Sequence, residues 1–135
     1  MSEIFGLDAF APKEIAEKVE TIGVAKARLP LLSMLMLGIL AGAFIGLGAL
    51  YFVIVKSDTS LGFAAKQLLG GVVFSLGLIL VVVAGAELFT GNNLLAMAWA
   101  DGKISTFELL RNWVVVCIGN FIGAAGLAVL VYLSH

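Results

Sequence analysis

The sequence predicts an all-α integral membrane protein of three transmembrane helices, the second of them broken. Three observations carry this. Apolar residues make up 61% of the 135-residue chain and charged residues 13%, against about 45–50% and about 25% in soluble domains, so no water-soluble core of this size could hide the apolar surface. Residues 29–55 and 112–133 hold no charge, and residues 67–100 hold only Glu87. Within that middle stretch Glu87-Leu88-Phe89-Thr90-Gly91-Asn92-Asn93 interrupts an otherwise apolar run. Polar groups there are costly in lipid, and unwound backbone at membrane depth is tolerated only where it is buried in protein or lines a cavity.

Residues 1–28 read as an amphipathic lead-in, lying at the membrane surface or packing on the bundle. Ile4, Phe5, Leu7 and Phe10 precede Pro12, which suits the first turn of a helix. From Lys13 to Arg28, Ile15, Val19 and Ile22 recur three to four apart and Glu14, Glu17, Lys18 and Lys26 take the opposite face. The first span, 29–55, exceeds what the ~30 Å hydrocarbon core requires at ~1.5 Å per residue. Gly38, Gly42 and Gly46 recur along it every four residues as a ridge for close helix contact. Lys56 to Ser60 form a polar loop. Residues 67–100 are too long for one straight span, so residues 67–86 form one helix and 94–100 a short second piece, broken near 87–93. Asp101 to Ser105 form a connection, Ser105 or Thr106 caps a short interfacial helix, and Arg111 opens the third span, 112–133. Gly119 and Gly123 mark its contact face.

Charge and composition bound the function. A net charge of −1 supplies no basic face for nucleic acid. Cys117 alone makes no disulfide framework or thiolate metal cluster, so no metal or cofactor is expected. No cleavable signal peptide is expected from the mixed, charged start. Lys13, Lys18, Lys26, Arg28, Lys103 and Arg111 fall on one side and only Lys56 and Lys66 on the other. That bias predicts a cytoplasmic N-terminus.

Glu87 is the only ionisable group inside an expected span. It holds the broken loop by accepting hydrogen bonds or tunes a titratable partner; on a blander reading it is a carboxyl at the edge of the break, satisfied by backbone amides and silent. Thr90, Gly91, Asn92 and Asn93 offer hydroxyl and amide donors to a small anion, and helix ends beside a break add oriented dipoles. On a blander reading, Gly91 merely breaks the helix and the asparagines cap the next piece. Phe74, Leu78, Leu88 and Phe89 are candidates for hydrophobic constrictions, with ordinary packing as the alternative. Asn112 and Asn120 suit interhelical hydrogen bonding.

The runs Gly85-Ala86-Glu87-Leu88-Phe89-Thr90-Gly91-Asn92 and Gly70-Gly71-Val72-Val73-Phe74-Ser75-Leu76-Gly77-Leu78 resemble the second transmembrane region of the formate–nitrite transporter family. Arg111-Asn112-Trp113 with Gly119-Asn120-Phe121-Ile122-Gly123-Ala124 resembles its third. The resemblance implies one inverted three-helix repeat of an aquaporin-like six-helix fold. It also implies a channel or transporter for small monovalent anions (formate, nitrite or hydrosulfide), as the ion or coupled to a proton, in a homo-pentamer of the inner membrane. By the same resemblance Phe74 and Leu78 take the outer constriction, Leu88 and Phe89 the inner one, Thr90 the pore-facing position of the gating loop, and Glu87 the acidic position before it. Such a protomer needs a second three-span repeat with a central histidine. His135 does not match that position, so this chain is expected to be the first half of a protomer, with a second chain supplying the rest.

Two other classes compete. A three-span membrane kinase needs carboxylates gathered around magnesium, and Glu87, Asp101 and Glu108 do not cluster in sequence. Enzyme activity is therefore not expected. A non-transporting structural membrane protein leaves the polar interruption without a role.

Overall fold

A computed structural model describes residues 10–134. Ile4, Phe5, Leu7 and His135 lie outside the described residues. The elements are α1 (Pro12–Ala27), α2 (Leu31–Ser57), α3 (Phe63–Ala84), the short α4 (Phe89–Asn92) and α5 (Leu95–Ala100), and α6 (Thr106–Leu133). Among the described residues α2, α3 and α6 are long and apolar enough to cross a membrane. The chain is a multi-pass, all-helical membrane protein.

Helix boundaries follow local chemistry. Pro12 opens α1, and the Glu14 carboxylate reaches back to accept the Ala11 N–H at 2.8 Å. Ser105 caps α6: its hydroxyl accepts the Glu108 N–H at 3.2 Å, and the Glu108 carboxylate accepts the Ser105 N–H at 2.8 Å. No separate interfacial helix intervenes, so α6 begins six residues ahead of the expected 112–133 span. The capping box starts a helix that nothing between Thr106 and Asn112 interrupts. Helix α3 likewise begins at Phe63 rather than residue 67.

Helix α2 is the centre of the assembly, packed on α6 along one side and on α3 along the other. Glycines make both approaches close. A Cβ on Gly38 would lie 3.4 Å from Gly119 Cα, one on Gly42 would run into the Asn120 carbonyl, and one on Gly123 would run into that of Ile39. Toward α3, a Cβ on Gly48 would stand 2.7 Å from the Phe74 carbonyl, and one on Gly77 2.9 Å from that of Phe44. Association in lipid rests on this kind of backbone-to-backbone fit, because lipid tails compete equally for apolar side chains.

Helix α1 packs on α5 and the start of α6. The expected apolar face is not the one that turns inward. Gly23 and Ala27 are buried, whereas Ile15 and Ile22 remain 49% and 54% exposed. Small residues win the inner face because the helices nearly touch: a Cβ on Gly23 would be 3.3 Å from that of Ala98. This rotation carries Lys26 inward. At the same end Lys103 pairs with Glu20 and Asp101, and both contacts, the Glu20 bond first, raise its pKa.

Between α2 and α3, one Asp58 carboxylate oxygen accepts the Ser60 hydroxyl and N–H, both at 2.7 Å, and the Leu61 N–H at 3.0 Å. The Ser60 hydroxyl, then the Leu61 and Ser60 amides, hold its pKa below the ordinary 3.8. A lowered folded-state pKa gives this turn extra stability above the ordinary value, and that stability is lost as pH falls through the lowered one. Hydrogen exchange at the Ser60 and Leu61 amides is expected to accelerate under acid, and Asp58→Ala is expected to produce the same acceleration at neutral pH.

Candidate functional site

The break after α3 is built by Gly85, which takes the left-handed conformation at φ 62°. The Gly85 N–H donates to Val82 O at 3.2 Å and the Ala86 N–H to Val81 O at 3.0 Å. This crossed pair of bonds is the usual glycine stop of a helix. Gly91, the sequence candidate for the breaker, lies instead inside α4.

Residues 85–88 leave backbone groups without helical partners, and neighbouring helices satisfy them. The Glu87 N–H donates to Leu37 O on α2 at 3.2 Å. From α6, the Asn120 carboxamide oxygen accepts the Phe89 N–H at 2.9 Å, and its NH2 donates to Glu87 O and to Gly38 O, each at 2.8 Å. One amide side chain therefore bridges the break and α2 from α6, in the manner required of non-helical backbone in a membrane.

A second, side-chain network lies beside it. Glu87 is 3% exposed, and Asn92 and Asn112 are fully buried. Lys26 Nζ donates to Glu87 Oε1 at 2.9 Å and to Asn92 Oδ1 at 3.2 Å. Asn92 Nδ2 donates to Glu87 Oε2 at 2.7 Å and to Asn112 Oδ1 at 2.9 Å. Asn112 Nδ2 closes the ring on the Lys26 carbonyl at 3.2 Å. Among the described residues no buried side-chain nitrogen or oxygen is left without a partner. The network joins α1, the break, α4 and α6. Sequence periodicity missed Lys26 because it groups that residue with the polar face of α1; an unmatched Glu87 inside an apolar run is the signal that a cation must approach from elsewhere.

A recess of about 500 Å³ opens over this network. Leu78, Leu88, Gly91, Asn92 and Glu87 line it together with Lys26 and Ile22. Phe74 does not line it; it packs edge-on against Phe52 of α2, centroids 6.3 Å apart. Phe89 also lies outside the lining. Thr90 is exposed between Phe89 and Gly91, and its hydroxyl makes no hydrogen bond among the described residues. The recess thus offers apolar walls, a hydroxyl close by, and a partly exposed ammonium whose charge Glu87 balances. Both Asn92 amide protons are committed to Glu87 and Asn112 rather than to the open space. Among the described residues no group of three or more potential metal ligands gathers.

The fold and the site define a helical membrane protein whose second span is interrupted by a glycine-stopped, internally satisfied break beside a recess. A model of the formate/nitrite transporter family matches residues 13–135, and the chain belongs to that family. It is 50% identical over 115 residues to the uncharacterized transporter YrhG of Bacillus subtilis, covering 84% of this chain and 43% of that one. It is 39% identical over 128 residues to the formate channel FocA of Escherichia coli, covering 94% and 45%. To the formate channel BtFdhC of Bacillus thuringiensis it is 45% identical over 115 residues, covering 84% and 44%. The chain spans less than half the length of these relatives.

Proposed function

We propose that the protein passes small monovalent anions, formate first among them, with nitrite and hydrosulfide as further substrates, across the inner membrane. In this reading the described helices form the first three-span repeat of a protomer, with the N-terminus in the cytoplasm. A second three-span half completes the pathway, and protomers assemble as a pentamer. The protein acts as a channel or proton-coupled carrier and not as an enzyme. Membership of the family and the formate channels among its relatives support the substrate class.

The single observation that carries the reading is the break itself. Its backbone is satisfied from α2 and α6, so the turn that follows stands open to the recess without an exposed helix end. In the completed pathway Leu88 and Phe89 form the inner constriction, Phe74 and Leu78 the outer one, and Thr90 presents its hydroxyl to the passing anion. Asn112 and Asn120 hold the frame, and the Lys26–Glu87 pair keeps the break electrically balanced. Hydrophobic rings resist hydrated ions, and a hydroxyl beside such a ring compensates for lost water.

Thr90→Ala tests this assignment. One hydrogen bond is worth about 0.5–1.5 kcal/mol net, or roughly a two- to tenfold change in rate. Formate flux in proteoliposomes is expected to shift by that factor while the unfolding midpoint stays within error. An unchanged flux at normal expression removes Thr90 from the pathway.

A further inference from the structure

Trp113 stands on α6 one residue beyond Asn112, yet it takes no part in either polar network. Its indole Nε1 donates to the Asn92 carbonyl at 2.9 Å. Its ring lies edge-on to Phe89, with centroids 6.4 Å apart and planes at 64°. One side chain therefore grips both ends of α4, the four-residue turn Phe89–Asn92 that carries Thr90 and Gly91.

So short a helix does not hold its own shape, because nucleation fixes several dihedral angles for a single bond. Its internal support amounts to the Asn92 N–H on Leu88 O at 3.0 Å and the Asn93 N–H on Phe89 O at 3.1 Å. The Asn92 carbonyl belongs to the end of the turn, where a helix supplies no partner of its own. Trp113 supplies one. The side chain itself is half-buried, packed against the cluster of Ala27, Leu95, Ala98, Ile104 and Leu109. Its position is thus set by the α1–α5–α6 packing rather than by the turn it holds.

We infer that Trp113 is a positioning residue: by fixing both ends of α4 it sets where Leu88 and Gly91 stand at the recess, with Thr90 beside them, and so the size of anion that passes. The inference rests on the proposed transport reading. Asn120 anchors the entry to the turn through the Phe89 N–H, whereas Trp113 anchors the backbone at its exit, beside the side-chain bonds that Asn92 makes to Glu87 and Asn112. The ring contact keeps Phe89 from turning away, and the indole bond keeps the carbonyl end from unwinding.

Trp113→Phe removes the indole donor and keeps an aromatic ring on Phe89. Two readouts are compared in the protein with its membrane assembly intact: hydrogen exchange of a peptide covering residues 88–94, and the ratio of acetate to formate flux. Exchange in that peptide is expected to rise roughly fivefold, equivalent to ~1 kcal/mol. The acetate-to-formate ratio is expected to rise severalfold, because a loosened turn admits the larger anion. A general loss of stability would lower both fluxes together and leave the ratio alone. Unchanged exchange, or an unchanged ratio despite faster exchange, overturns the inference. Should Trp113→Phe fail to fold, Trp113→Tyr removes the indole donor while keeping an aromatic ring on Phe89, and is held to the same two outcomes. If the wild-type protein passes neither anion, the transport reading fails, and exchange alone then decides whether Trp113 holds the turn.

Discussion

Lys26→Met is expected to destabilise the protein by about 3 kcal/mol, the lower end of the cost of stripping one partner from a buried ion pair. The lower end applies because the Lys26 side chain keeps 30% of its surface exposed, whereas that of Glu87 keeps 4%. Without the ammonium, Glu87 retains only the Asn92 amide as a donor to its carboxylate, and the Asn92 Oδ1 loses its partner. The second substitution distinguishes a charge effect from a packing effect. In Lys26→Met/Glu87→Gln the uncompensated charge is gone, and the new carboxamide can turn its carbonyl oxygen to Asn92 and its NH2 to the recess. The double variant is therefore expected to recover a substantial part of the loss in reversible unfolding from mixed detergent micelles. Equal midpoints for Lys26→Met and the wild type would mean that the pair holds nothing.

Gly42→Ala carries the other large effect. Its new methyl group would meet the Asn120 carbonyl, and a Gly123→Ala methyl would meet that of Ile39. Overpacking ordinarily costs about 1–3 kcal/mol. Here the obstacle is helix backbone, which has no alternative rotamer, so a loss above ~3 kcal/mol is expected. Gly46→Ala is the control. Its methyl would meet Leu127 Cδ2 at 2.8 Å, the tip of a side chain that can rotate away, and a cost below ~1 kcal/mol is expected. Gly42→Ala should also disturb transport, because the Asn120 it displaces bridges Gly38 on α2 to Glu87 in the break. Comparable midpoints for Gly42→Ala and Gly46→Ala would contradict the account of the α2–α6 seam.

The parts of this molecule that were legible in the sequence are those governed by the membrane. Charge-free runs located the three spans, and Glu87 with its polar neighbours located the interruption, because lipid penalises such groups wherever they lie. The four-residue glycine spacing showed which faces of α2 and α6 meet. What escaped was set by contacts distant in the chain. Gly91 and Gly85 are equivalent as residues, and only the αL geometry at Gly85 marks the stop. Lys26 reads as a solvated lysine until Gly23 and Ala27 are seen to draw α1 onto α5. The edge-on contact of Phe74 with Phe52 of α2 is likewise made between residues distant in the chain. The bond from Trp113 to the Asn92 carbonyl also joins residues 21 positions apart.

Formate uptake by proteoliposomes carrying the purified protein, with any counterpart polypeptide that accompanies it, tests the central claim most directly. The account predicts uptake well above that of protein-free liposomes, reduced or raised by Thr90→Ala and lost in Gly42→Ala. Uptake no faster than in protein-free liposomes, from a folded and correctly inserted assembly, would contradict it and leave a membrane protein whose polar break serves structure alone.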